Sequence, residues 1–394
     1  MPKRQHEQIS FTWDQVAAFR LARHHLLERA PAKSLTTVVR EMAGAQAQLL
    51  SAAQLSLWPR TRDLELAQVE NEMRKRKLVK ASCMRQTLFL VPSKDLAIFV
   101  RGSARRGERE VNWVHRQGVP ERVVEAAIGA ALETLDEPRT RPEIAERVSR
   151  KLGVQVQAVT GGGWGNQNQI AAVPVGHLNL PVVYLLHLAR ARGVVCYGPS
   201  RGNEPTFVRP DAWIPKWRDV PAEEAEEQLL RIYLKAYGPA TPTDFAVWSG
   251  ITFKDAREIW ARVQTEIASV HVDGWDAAIL RKDLDQLGKA AFERPHVCLL
   301  PYFDSFLLGH KERRHLVARE HHSKIYRAQG WISPVVLVNG RIAAVWEHAW
   351  EGKRIRVKVT KLESMTRRVT TLIREQAQDL GRFLEASAVE ITSA

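Results

Sequence analysis

Apolar residues recur at helical spacing through TWDQVAAFRLARHHLLE. Val16, Phe19, Leu21, Ala22, Leu26 and Leu27 form one stripe, and Thr12 stands at the N-cap position. A second helix is predicted from near Ser34 and a third over ELAQVENEMRKRK. LVKASCMRQTLFLVP follows, rich in β-type residues and closed by Pro92. The same order returns twice. RVVEAAIGAALETLD, TRPEIAERVSRKLG and VVYLLHLARARG read as helices, and VVCYGPSRGNEPTFVRP as two extended runs around a turn. AEEAEEQLLRIYLKAYG, TPTDFAVWSG and FKDAREIWARVQTEI are again helical, TPTDFA with an early Pro and Thr caps, and SVHVDGWDAAIL is again a hairpin.

Three helices followed by a hairpin is the winged-helix pattern, a relative of helix-turn-helix. Three such units make an internal repeat by pattern rather than by identity. GGGWGNQNQ (161–169), with its glycines and no period, is expected to be a flexible loop inside the second unit. From His296 the texture turns to strands, with an Asn-Gly hairpin turn in VNGR (338–341), and MTRRVTTLIREQAQDLGRFL closes the chain as a helix. The expected fold is therefore mainly α with β. Winged helices fill 10–118, 119–220 and 221–290, and a β-rich C-terminal domain with a closing helix fills 291–394.

Charge sharpens this picture. Lys and Arg number 58 against 44 Asp and Glu, a net charge of +14, and such a surplus attracts polyanions, nucleic acid above all. The cations clump at 73–80, 101–110, 310–327 and 353–361. Each clump alone reads as a solvated face; together they favour a phosphate-tracking surface. No apolar run is long enough for a membrane span and the N-terminus has no secretory h-region, so a cytoplasmic, nucleoid-associated location is expected. Cys83, Cys196 and Cys298 are far apart and odd in number, which suits free thiols and no metal site. No cofactor is expected.

The chain lacks G-x-S-x-G, Walker A, H-E-x-x-H and a G-x-G-x-x-G before a helix. His24-His25 and His321-His322 are adjacent pairs that diverge on a helix, so they read as exposed or phosphate-facing rather than chelating. GAQAQLLSAAQL places Gln46 and Gln48 one residue apart in an apolar run. On a regular helix they would point about 200° apart. Acting together would require extended or distorted backbone near Ala47, which Gly44 makes feasible. An amide does not titrate, but it can hold and orient a water. The plainer reading is a polar helix edge.

GAQAQLLSAAQLSLWPR, LVKASCMRQTLFLVPSKDL, LLPYFDSFLLGHKERR and SPVVLVNGRIAAVWE resemble four landmarks of the AlkZ-like winged-helix family of bacterial DNA glycosylases, from about Ser10 to about Leu384. The resemblance implies tandem winged helices, a β-rich C-terminal part and a concave basic channel for double-stranded DNA with alkylated bases. It implies a Gln-x-Gln catalytic motif at Gln46 and Gln48, and a DNA contact at Arg85. Ala47 stands where the family often has a bulky apolar residue, and Phe89 where it usually has His after Arg-Gly-Thr-Leu. The implied reaction is monofunctional hydrolysis of the N-glycosidic bond of N7-alkylated guanine, extending to interstrand cross-links or bulky adducts. Lys311, Arg313, Arg314 and Lys324 are expected to contact phosphate, and Asp304, a carboxylate in an apolar segment, to be structural and to hold the basic loop 309–314. The protein is expected to act as a monomer. The alternative is a non-enzymatic winged-helix DNA-binding protein or regulator, and a weaker one a protein-interaction scaffold.

Overall fold

A computed structural model describes residues 9–393, apart from 106–111, 113, 162–167 and 192. The chain is mixed α and β and divides into two compact units. The first comprises Met1–Asn71, Leu230–Trp248 and Thr252–Ala394; the second comprises Glu72–Leu229 with Ser249–Ile251.

In the first unit, helix Trp13–Arg23 begins at the expected cap. The Thr12 hydroxyl accepts from the Gln15 amide, and the Gln15 side chain returns to the Thr12 N–H at 2.9 Å, a closed capping box. The helix serves two cores. Val16 and Phe19 pack with Val270, Val272, Ile279 and Leu287, while Leu21 joins Leu26, Leu300 and Phe303. The hairpin Ile267–Val272 and Trp275–Leu280 gains a third strand when Ser10–Phe11 pairs parallel to His271 and Val272. Helices Leu35–Glu41, Leu50–Leu57 and Leu66–Arg74 follow the first helix, so one more helix precedes the first hairpin than the periodicity indicates.

The carboxyl-terminal part of the same unit carries a five-stranded sheet ordered Val297–Leu300, Val335–Val338, Arg341–Glu351, Arg354–Lys361 and Ala388–Ser393. Asn339 and Gly340 link the second and third strands at positive φ, as the Asn-Gly turn requires. Along Arg354–Lys361, Ile355, Val357 and Val359 are buried and the intervening cations exposed. Arg356 pairs with Glu351 at 2.7 Å and Lys358 lies 3.4 Å from Glu347, so this clump is a solvated sheet face laced by acids.

The second unit holds the hairpin Leu78–Ser82 and Leu88–Pro92. It also holds helices Glu121–Glu133, Arg141–Leu152 and Val182–Ala191, whose buried faces share one core around Val124, Ile144, Leu185 and Leu188. Here one expectation fails. Gln157–Gly161, Asn168–Val175 and Leu178–Pro181 form a three-stranded antiparallel sheet. Both ends of the glycine-rich stretch are therefore strand, Gln169 lying in one of them; its centre, 162–167 with Gln167, lies outside the described residues. Side chains of two other cationic clumps are engaged within this unit, on rings in 73–80 and on carboxylates in 101–110. Arg76 lies 3.9 Å from the Trp213 ring centre, Lys80 covers Tyr197, Arg101 pairs with Asp219, and Arg105 pairs with Glu226.

Candidate active site

Helix Leu35–Glu41 ends abruptly. Ala43 and Gly44 take φ of 58° and 87°, the left-handed region, and turn the chain out of the helix into extended backbone at Ala45–Gln46. Helix resumes only at Leu50. In between, burial alternates. Ala45 and Ala47 are fully buried, Gln46 is half-buried and Gln48 is exposed. The half-buried Gln46 and the exposed Gln48 thus alternate with two methyl groups that anchor the segment. The segment Gly44–Gln48 departs from helical geometry as a cooperating pair requires. Ala47 fits because its side chain is buried.

Ser305 clips the segment from below. Its hydroxyl donates to the Gly44 carbonyl at 2.8 Å and accepts the Gln46 N–H at 3.3 Å. The Tyr237 hydroxyl donates to the Ser305 carbonyl at 2.9 Å and lies 3.4 Å from that of Met42. The neighbouring Asp304 is fully buried and bonded to Arg60, itself fully buried, through two contacts of 2.7 and 2.8 Å. Asp304 also accepts the Phe306 N–H, and Arg60 donates to the Ser56 carbonyl. Asp304 thus bonds to Arg60 and the Phe306 N–H rather than to the basic loop. That contact belongs to Asp244, which accepts the Lys311 N–H at 2.9 Å. A carboxylate this deep needs a charged partner in the same cavity, and Arg60 fills that role.

The loop itself rests on tyrosines. Tyr233 donates to the Gly309 carbonyl at 2.8 Å, and the His310 ring nitrogen Nε2 donates to the Tyr237 carbonyl at 3.0 Å. A Cβ on Gly309 would sit 2.1 Å from the Tyr237 ring, so only glycine lets the loop pass. Lys311, Arg314 and Lys324 are exposed. Arg313 instead lies 3.9 Å from the Tyr326 ring centre. Arg85 belongs to the second unit, half-buried at φ 56° over the Phe89 ring.

The histidine expectation is corrected at His24. It is fully buried between Tyr237 and Phe306, and burial holds its pKa well below the ordinary value. His310 and His315 are lowered well below it by the same cause, His315 also stacking on Trp13. Close to the motif, Glu41 accepts from His25 and Lys235, each at 2.6 Å. The His25 hydrogen bond and the Lys235 ammonium pull its carboxyl down to about 2. All three cysteines are free and buried, and burial raises each thiol. Among the described residues no helix is long and apolar enough to cross a membrane, and no three His, Cys, Asp or Glu side chains group as metal ligands.

Sequence reasoning missed Ser305, Tyr237, Arg60 and Asp244. For Ser305 a signal existed, since it is polar inside the apolar run FDSFLL, whereas Arg60 opens the polar stretch RTRD and carries none. Tyr237 and Asp244 carry no such mark.

A mixed fold with an amide pair raised on a clipped segment and an exposed basic loop now meets an independent finding. The model of the AlkZ-like DNA glycosylases matches residues 39–383, and the chain belongs to that family of DNA glycosylases. An interstrand DNA cross-link repair glycosylase from Streptomyces sahachiroi is 32% identical over 345 residues, 85% of this chain and 88% of its own. The solved structure of the Streptomyces sahachiroi DNA glycosylase AlkZ matches with a TM-score of 0.80 at 27% identity, over 98% of this chain and 100% of that one.

Proposed function

We propose that this glycosylase hydrolyses the N-glycosidic bond of N7-alkylated guanine in double-stranded DNA, and that Gln46 and Gln48 orient the water. The observation that carries the reading is the alternation of half-buried Gln46 and exposed Gln48 with fully buried Ala45 and Ala47, outside any helix. Cα atoms two apart in extended chain are about 7 Å apart. Each Oε1 can then accept one hydrogen of a single water, leaving its lone pair free. An amide is a poor base, and here none is needed. Alkylation at N7 gives the base a positive charge. When the bond from C1′ to N9 breaks, its electron pair neutralises that charge and the base leaves without protonation. Water then adds to the oxocarbenium-like sugar and loses its proton to solvent, giving an abasic site. The motif has no lysine for a Schiff base, which supports a monofunctional enzyme.

The helix and hairpin order supports three tandem winged helices over 10–118, 119–220 and 221–290 before the β-rich 291–394. Lys311, Arg314, Lys324 and Arg85 are proposed phosphate contacts, with Arg313 bracing the loop on Tyr326. The protein acts as a monomer on DNA in this reading. The cross-link repair in the relative's name supports extending the substrate to interstrand cross-links anchored at N7 of guanine.

Gln46→Ala and Gln48→Ala should each slow single-turnover excision of N7-methylguanine about a hundredfold, roughly 3 kcal/mol of barrier, with DNA affinity nearly unchanged. Wild-type rates in both variants would remove the amides from the reaction.

A further inference from the structure

We propose that Ser305 and Tyr237 are positioning residues that set the register of the amide pair and tie it to the basic loop. The inference rests on the role proposed for Gln46 and Gln48. Ala43 and Gly44 occupy the left-handed region in succession, at φ 58° and 87°. An alanine there is disfavoured, and such backbone persists only where its surroundings fix it. The helix end closes the turn itself, the Ala43 and Gly44 N–H groups donating to the Arg40 and Val39 carbonyls at 3.0 and 2.8 Å, and Ser305 restrains the chain that leaves it. Its hydroxyl engages the Gly44 carbonyl and the Gln46 N–H at once, so it spans Ala45 and fixes the peptide groups on either side.

Ser305 is in turn fixed from both directions. Tyr237 holds its carbonyl at 2.9 Å, and Arg60 immobilises the preceding Asp304. Tyr237 also reaches the basic loop. Its ring closes on Gly309 and its carbonyl accepts from His310, next to the exposed Lys311. One tyrosine therefore supports the amide segment with its hydroxyl and the phosphate-facing loop with its backbone and ring. Ser305 and Tyr237 are both 2% exposed, too deep to meet a nucleotide, and their hydroxyl groups act through the backbone around Gln46.

Ser305→Ala and Tyr237→Phe remove these hydroxyl groups without adding atoms. Each should lower kcat for N7-methylguanine excision about tenfold, the order expected for losing one ordering hydrogen bond, and leave KM and duplex affinity within about twofold. Because both act on one link, the double variant should fall little further than either alone. Amide hydrogen exchange at Gln46 should accelerate about tenfold in both variants, while exchange in helix Trp13–Arg23 stays at the wild-type rate. This readout is independent of which lesion is the substrate. Wild-type exchange at Gln46, an unchanged kcat, or losses that multiply in the double variant would each overturn the assignment. If Gln46→Ala is harmless while exchange at Gln46 still accelerates in Ser305→Ala, the water-orienting role falls and the structural clip stands.

Discussion

At the scale of single residues, Arg60 and Asp304 form an ion pair shut away from solvent. Both are fully buried and separated by 244 positions in sequence. Removing one charge strands the other in a medium that cannot solvate it. Asp304→Asn should therefore lower unfolding free energy by about 3–5 kcal/mol, read from the urea midpoint. A carboxylate in the run LLPYFDSFLL announces that it must be paired. The sequence cannot say with what, because the partner lies far along the chain and pairing depends on packing rather than spacing. The basic loop, only a few residues on, is the nearest source of positive charge. Asp244 occupies that place because helix Pro242–Ser249 presents its first-turn carboxylate to Lys311. His24 failed for a similar reason. Periodicity places it near the end of an amphipathic helix, but aromatic rings from Tyr237 and Phe306 close over it.

At the scale of elements, local signals were legible where local chemistry decides. The Thr12 cap, the two strands around Asn339-Gly340 and the alternation in KRIRVKVTK all follow from nearest neighbours. The sheet through 157–181 was missed because a glycine-rich segment masks the run IAAVPV, whose Pro174 also argues against a central strand. Helix Leu50–Leu57 was missed because it starts without a polar cap. Leu49 holds the N-cap position with no side-chain hydrogen bond and is 41% exposed. A side-chain oxygen there would satisfy a helix N–H that Leu49 leaves to solvent. Leu49→Asn should raise stability by about 1 kcal/mol, seen as a higher melting temperature. A lower one would show that the leucine packs better than its exposure implies.

At the scale of the whole molecule, net charge says less than its placement. Of the clumps in the sequence, 353–361 spends its cations on glutamates across the sheet, and 73–80 lays Arg76 and Lys80 on aromatic rings. Lys311 and Lys324 remain exposed, as does Arg314, which lies 3.4 Å from Glu312. Replacing one of these by Ala should weaken DNA binding equally across sequences and reduce the slope of log affinity against log salt by about one unit. Replacing Arg356 or Lys358 should leave that slope unchanged. Titrations of binding against salt distinguish the two groups directly.

The clip between Gln46 and Ser305 spans 259 positions. Synthesis runs from the amino terminus, so the amides leave the ribosome long before the serine that holds them is made. At about 5–20 residues per second the interval is roughly 13–50 s. The strand Ala388–Ser393, which completes the sheet beside Arg354–Lys361, comes later still. A nascent chain therefore carries its glutamines without the support that orders them, and an enzyme that cuts bases from DNA is assembled only after Ser305 and the strand Ala388–Ser393 have been translated.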